Sequence, residues 1–345
     1  MGSPVAADHE AVTDAEPPPE TPGFGGDPTA ESTLTVLVAA AANFAIAVAK
    51  GVGALVSGSA AMFSEAAHSV ADTVTELLLL VAVRRSTRPA DGRHPFGHGR
   101  EYYLWALLAA LSLFVAGAGV SIVEGVQKMV RGEHEGDPTV AFVVLAVAFV
   151  LESVSLTRAL AQLREGAARW QLRPRTFLRL TTDTAVKAVT FEDAAALVGL
   201  TLAAGGLALT EATGEALWDG LASVLIGVLL LVVAVTLARV NSALLIGRAA
   251  DEGTERRMLE ELRALPGVAD VPELVTSVLG PEQLLVAARV RFAPECSADD
   301  IARVADEAER RLVAIHPGVR EVFLDPTPRV VASDERVSGQ QGPMS

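Results

Sequence analysis

Residues 58–85 read GSAAMFSEAAHSVADTVTELLLLVAVRR. The run is long enough to cross the ~30 Å hydrocarbon layer of a bilayer, yet Glu65, His68 and Asp72 interrupt it. An ionisable side chain facing lipid is unfavourable, so each needs a partner, a water-filled cavity or a ligand. Their offsets of three and four residues place all three on one face of a helix. His68 and Asp72 lie one turn apart, ~6 Å along the axis, so both can reach a single ion beside the helix. A neutral imidazole and a carboxylate suit zinc or a neighbouring divalent metal. A hydrogen-bonded pair locking this helix to a neighbour is the structural alternative.

Half of the residues are hydrophobic, the mean hydropathy is positive, and the apolar residues fall in runs too long for a soluble core. Six such segments lie near residues 33–56, 60–84, 103–129, 139–163, 185–209 and 216–245. Ser57-Gly58-Ser59 is so short a connection that the first two must form an antiparallel hairpin. Arg84, Arg85, Arg88, Arg93 and Arg100 mark the loop after the second segment as cytoplasmic. Arg164, Arg169, Arg173, Arg175 and Arg179 do the same for the loop after the fourth. The loop holding Glu133, Glu135 and Asp137 and the turn from Glu211 to Glu215 then face outward, and both termini lie in the cytoplasm. Arg-, Ala- and Gly-rich composition suggests a bacterial chain, hence the bacterial cytoplasmic (inner) membrane.

The soluble parts flank this membrane domain. Residues 1–32 are rich in Pro, carry seven acidic side chains from Asp8 to Glu31 and have no Lys or Arg, the signature of a disordered acidic tail. The expected division is that tail, a transport domain over 33–248, a cytoplasmic domain over 249–327 and a disordered tail over 328–345. In the cytoplasmic domain we expect a helix over Thr254–Leu265 and a strand ending at Leu279. A strand Gln283–Phe292, a helix Ala298–Ile315 and a strand Val319–Leu324 follow, in the order α-β-β-α-β. Two helices would cover one sheet face and leave an apolar face for a partner subunit. A net charge of −14 argues against nucleic acid as a partner. The single cysteine, Cys296, excludes an intramolecular disulfide and any multi-cysteine metal site, and no nucleophile-base set or phosphate loop suggests an enzyme.

The fifth apolar segment supplies a complement to the second: Glu192 and Asp193 stand in an otherwise apolar run. Neighbouring helix positions point ~100° apart, so one acid faces an ion squarely while the longer Glu bends in from the side. A salt bridge from Lys187 is the structural alternative. His68, Asp72 and Asp193, with Glu192 or Glu65, make four ligands of tetrahedral potential. Such ligands bind metal only when deprotonated, which couples metal to protons. Lys50, Glu124, Glu152 and Asp219 are also placed in the membrane and rank lower, for want of metal spacing or as packing and cavity residues. In the loop, Asp91, His94 and His98 fall within eight residues. They could share a metal, or fold the loop through imidazole hydrogen bonds.

The stretch from Gly58 to Asp72 followed by Arg88-Pro-Ala-Asp and His94-Pro-Phe-Gly-His-Gly99 resembles the cation diffusion facilitator family, over residues 33 to about 327. The likeness is strongest to the branch that includes the mitochondrial zinc transporter of animals, which shares the Glu192-Asp193 pair. The resemblance implies six transmembrane helices and a ferredoxin-like cytoplasmic domain. It implies a homodimeric, proton-coupled antiporter exporting Zn²⁺ or a related divalent cation by alternating access. His68 and Asp72 match the paired ligands of the second helix, Asp193 the aspartate of the fifth, and Asp91, His94 and His98 the family's second metal site. Val189 departs: an aliphatic residue stands where members carry His or Asp, so Glu192 is the expected fourth ligand, with Glu65 or water behind it. Pro272 and Phe323 replace histidines of the metal-binding cytoplasmic domains while Asp325 persists, implying a dimerisation module with weak or no metal binding. Two alternatives follow: a transport-inactive membrane scaffold or metal sensor, and an exporter preferring Mn²⁺, Fe²⁺ or Co²⁺ at a carboxylate-rich site.

Overall fold

The computed structural model describes residues 30–132, 137–169 and 172–327. The tails expected over 1–32 and 328–345 lie outside the described residues except for 30–32, and so do Glu133 and Glu135. Helix α1 runs over Ala30–Ser57; its residues 30–39 belong to a separate unit, and the chain from Ala40 onward is one compact unit.

Helices α2 (Ala60–Ser86), α5 (Pro138–Arg169), α7 (Thr184–Thr213) and α8 (Leu217–Ile246) follow, with α3 (Glu101–Ser112) and α4 (Val120–Arg131) joined by a π-helical segment over Leu113–Gly119. Among the described residues, five helices are long and apolar enough to cross a membrane: α2, the continuous α3–α4 rod, α5, α7 and α8. The first of the six expected spans lies in α1, whose described apolar stretch is the shorter Asn43–Ser57. The short α6 (Pro174–Leu180) sits inside the Arg-rich loop. Pro174 in the first turn starts the helix, because proline's fixed φ suits that place.

Local chemistry sets the helix ends. Ser59 caps α2 by accepting from the Met62 amide, and Asp183 caps α7 by accepting from the Ala185 amide. Gly214 and Gly247, at φ of 73° and 114°, close α7 and α8 in the left-handed region that glycine enters without penalty. At its N-terminal end α2 is held from a neighbour: the Asp219 carboxylate of α8 accepts from Ser59 Oγ (2.5 Å), Ala60 N (2.6 Å) and Ala61 N (3.2 Å). Asp219 is therefore a helix clamp, which satisfies amides that a helix start leaves without partners.

Small residues bring α4 and α8 together. A Cβ on Gly125 would stand 2.6 Å from the Gly220 carbonyl, and one on Gly220 2.7 Å from the Gly125 carbonyl; the two backbones touch, as small residues allow in bilayers. Gly125→Leu is expected to force them apart, at about 1–3 kcal/mol. A lowered thermal midpoint of the detergent-solubilised protein checks it.

The C-terminal part contains α9 (Glu252–Arg263), β1 (Val268–Gly280), β2 (Gln283–Phe292), α10 (Ala298–Ile315) and β3 (Val319–Pro326). The order α-β-β-α-β is the expected one. Helix α9 starts two residues earlier than expected because the Asp251 side chain caps it through the Gly253 and Thr254 amides, and β3 continues to Pro326. The sheet order is β1-β2-β3, antiparallel between β1 and β2 and parallel between β2 and β3. Leu284, Val286, Ala288 and Val290 of β2 share a core with Met258 and Leu262 of α9 and Ala308 and Leu312 of α10. The other sheet face carries Val275 and Phe323, each half exposed.

Candidate metal site

On α2, Glu65 and His68 are buried and Asp72 is nearly so, as their shared helix face requires. His68 Nδ1 lies 3.3 Å from Asp72 Oδ1, yet among the described residues neither imidazole nitrogen has a hydrogen-bond partner, and Asp72 Oδ1 has none. Helix α7 brings Glu192, 7% exposed, whose Oε1 is likewise buried and unpartnered. Asp193 beside it accepts from Ser155 Oγ of α5 at 2.8 Å.

Asp72, Glu192 and Asp193 line one cavity of about 60 Å³ between α1, α2, α5 and α7, and Val189 lines it too. Buried polar atoms are nearly always satisfied. A cluster of unpartnered imidazole nitrogens and carboxylate oxygens at a cavity of this size fits a small cation. His68 meets this cavity through Asp72. Glu65 is directed elsewhere: its Oε2 takes the ammonium of Lys50 at 3.1 Å, and a Cβ on Gly199 of α7 would strike its Oε1. The structure thus gathers Asp72, Glu192 and Asp193, with His68 alongside, while Glu65, one turn before His68 on α2, gives Oε2 to Lys50 and keeps Oε1 buried without a hydrogen-bond partner among the described residues.

Three features escaped the sequence reading. Glu76 lines the same cavity, with Oε1 accepting from Asn43 Nδ2 at 2.5 Å and Oε2 buried without a partner; its spacing of four from Asp72 repeats that of His68 to Asp72 and was the available signal. Glu152, ranked low in the sequence as a packing or cavity residue, does line the cavity. Asn43 stands in an apolar run of α1, and Ser155 is one of several polar residues from Glu152 to Arg158 of α5, so the sequence singles out neither. Among the described residues Lys187 makes no salt bridge to Glu192 or Asp193: its Nζ donates to the Arg179 carbonyl at 3.3 Å, because the start of α7 turns it toward α6.

The loop between α2 and α3 forms a second cluster. Asp91 Oδ1 accepts from the amides of Arg93 (2.8 Å) and His94 (2.7 Å), and these bonds hold its carboxyl below the usual aspartate range. His94 Nδ1 lies 3.2 Å from Asp91 Oδ1, and His98 Nε2 3.6 Å from Asp91 Oδ2. One ligand atom from each residue falls within 4.8 Å of the others. His98 Nδ1 faces the Pro89 carbonyl at 3.2 Å. A proton on that nitrogen leaves the Nε2 lone pair aimed at the cluster, the arrangement of a metal-binding imidazole.

The loop is fixed to the sheet. Phe96 packs edge-on to Phe323 with ring centroids 6.3 Å apart, Arg100 Nη2 donates to Ser277 Oγ at 3.0 Å, and Gly99 lies where a Cβ would meet the Leu279 carbonyl at 2.6 Å. Phe323→Ala is expected to free the loop, with amide exchange over 96–101 rising about fivefold for an aromatic pair of about 1 kcal/mol, as hydrogen exchange read by mass spectrometry would report. In the same domain Asp325 pairs with Arg289 at 3.5 Å. His316 ends α10, its Nδ1 accepting the Gly318 amide at 3.1 Å, and burial lowers its pKa.

Helices crossing a membrane around a buried imidazole-carboxylate cluster define a polytopic cation-handling protein, and residues 36–246 match the family model of the cation efflux transmembrane domain. The chain belongs to the cation diffusion facilitator family of membrane transporters. It is 33% identical over 236 residues to metal tolerance protein C4 of Arabidopsis thaliana, covering 68% of this chain and 52% of that one. It is 32% identical over 236 residues to the mitochondrial proton-coupled zinc antiporter SLC30A9 of Xenopus laevis, covering 68% and 42%. Against the cation-efflux pump FieF of Citrobacter koseri the identity is 27% over 232 residues, covering 66% and 71%. The chain thus spans about half the length of the plant and frog relatives.

Proposed function

We propose that this protein exports divalent metal cations, zinc first, from the cytoplasm in exchange for protons, by alternating access across six transmembrane helices in a homodimer. Both termini lie in the cytoplasm, and the membrane is the cytoplasmic membrane of a bacterium. The observation that carries this reading is the set of unpartnered buried ligand atoms on His68, Asp72 and Glu192 beside a cavity that also holds Asp193. His68, Asp72, Asp193 and Glu192 are the proposed transport ligands, with Glu65 behind them. Asp91, His94 and His98 are the proposed second site, in the cytoplasmic loop.

The exchange follows from the ligand chemistry. A carboxylate or imidazole that holds a divalent ion must first give up its proton, so an ion entering from the cytoplasm displaces protons, and protons entering from outside displace the ion. Glu76 and Glu152 in the same cavity make the surroundings rich in oxygen, which favours a reading that admits Mn²⁺, Fe²⁺ or Co²⁺ beside zinc.

Zinc flux in proteoliposomes under an imposed pH gradient tests the proposal. Flux that follows the gradient and reverses with it is the expected result. Flux that ignores the gradient refutes proton coupling. A folded protein carrying none of zinc, manganese, iron or cobalt refutes export and leaves the scaffold or sensor reading.

A further inference from the structure

Lys50 of α1 is buried completely, inside a helix that the bilayer surrounds. Its ammonium lies 2.8 Å from Ser69 Oγ, 3.1 Å from Glu65 Oε2 and 3.9 Å from Glu152 Oε1. Two carboxylates and a hydroxyl, drawn from α2 and α5, thus surround one positive charge. Ser69 and Glu152 also line the ion cavity, so this oxygen cage adjoins the cavity holding Asp72, Glu76, Glu192 and Asp193. Among the described residues, Lys50 is the one cationic side chain in ion-pair contact with this acidic cluster.

A buried ammonium is tolerated only when its charge is matched and its hydrogens are bonded. The converse holds for the cage: Glu65 and Glu152, left without a cation, would be two neighbouring carboxylates in a medium of low dielectric, and they would attract one from solution. Oxygen ligands of this kind receive divalent ions as readily as an ammonium. We propose that Lys50 is a tethered substitute for a second metal ion, filling a cage next to the transport cavity and holding that cavity to one divalent cation. Its pairing with Glu65 Oε2 also keeps one of that carboxylate's two oxygens from a metal ion, while Oε1 stays buried without a hydrogen-bond partner among the described residues, so Lys50 sets both the number of ions bound and which carboxylate oxygens bind them. The inference rests on the reading of the cavity as a metal site.

The test is metal stoichiometry in the purified full chain. The background carries His94→Ala and His98→Ala to remove the loop cluster, and bound zinc and manganese are counted by equilibrium dialysis. The reference is expected to bind one ion, Lys50→Ala two, and Lys50→Ala with Glu65→Gln one again. A Lys50→Ala protein that binds one zinc and one manganese in separate titrations, the same as the reference, overturns the inference while leaving the transport reading intact. A reference that binds no ion overturns both.

Lys50→Ala on its own could fail to fold without a counter-charge, so a second readout uses rescue. In a background of Asp72→Ala, His94→Ala and His98→Ala, millimolar manganese or zinc should raise the thermal midpoint of Lys50→Ala but not that of Lys50→Ala with Glu65→Gln. Equal responses in the two variants, or none in either, overturn the inference, because a merely structural lysine gives no reason for its removal to create a metal response that needs Glu65.

Discussion

Asp72→Ala is expected to lower zinc flux in proteoliposomes by about 100-fold or more, exceeding the 10–100-fold that loss of an outer-shell partner of a metal ligand typically produces. Asp72 supplies an unpartnered oxygen, lines the cavity and is the group through which His68 meets it, at 3.3 Å. Its removal deletes one ligand and frees another to reorient. Glu192→Ala should bring a loss of the same order, since Val189 on the preceding turn of α7 offers no ligand atom. Transport near the wild-type rate by Glu192→Ala would remove that residue from the ligand set; water would be the simplest replacement, with Glu65 already bound to Lys50. Comparing the two variants under one pH gradient, with reconstituted protein measured in each case, decides between these outcomes.

The second large effect concerns stability. Asp219→Ala removes the acceptor for one hydroxyl and two amides at the start of α2, in a place that water does not reach, Asp219 being 1% exposed. Each buried donor left unsatisfied costs about 1–3 kcal/mol, so a total of about 3–5 kcal/mol is expected once Ser59 rotates to another partner. The thermal midpoint in detergent should fall sharply, while Asp219→Asn, which keeps acceptor oxygen, should fall by less. A midpoint unchanged in Asp219→Ala would refute the clamp.

Much of this architecture is legible without coordinates because the bilayer simplifies the code. A membrane helix must satisfy its backbone internally, so the apolar runs mark the helices and the arginines mark the loops. The face shared by Glu65, His68 and Asp72 follows from helix periodicity, and the loop cluster from its short span of sequence. What the sequence hides is pairing between helices. Nothing in the residues around Lys50 says that it meets Glu65, fifteen positions away, and nothing around Asp219 says that it caps a helix more than a hundred and fifty residues earlier. Glu76 was legible by spacing and passed over because a leucine run follows it. Helix α6 was hidden because arginines that answer a membrane-orientation question also tolerate a helix.

The docked loop and the Asp219 clamp together turn α2 into a lever. At 27 residues and 1.5 Å per residue the helix is about 40 Å long. Its N-terminal end is the fulcrum, and the load arm ends in the loop that Phe96 and Arg100 fasten to the sheet. Asp72, twelve residues from Ala60, sits about 18 Å along that arm. A tilt about the fulcrum would therefore carry the carboxylate about half as far as it carries the sheet. Displacement is geared down on its way to the ion, and force is correspondingly geared up.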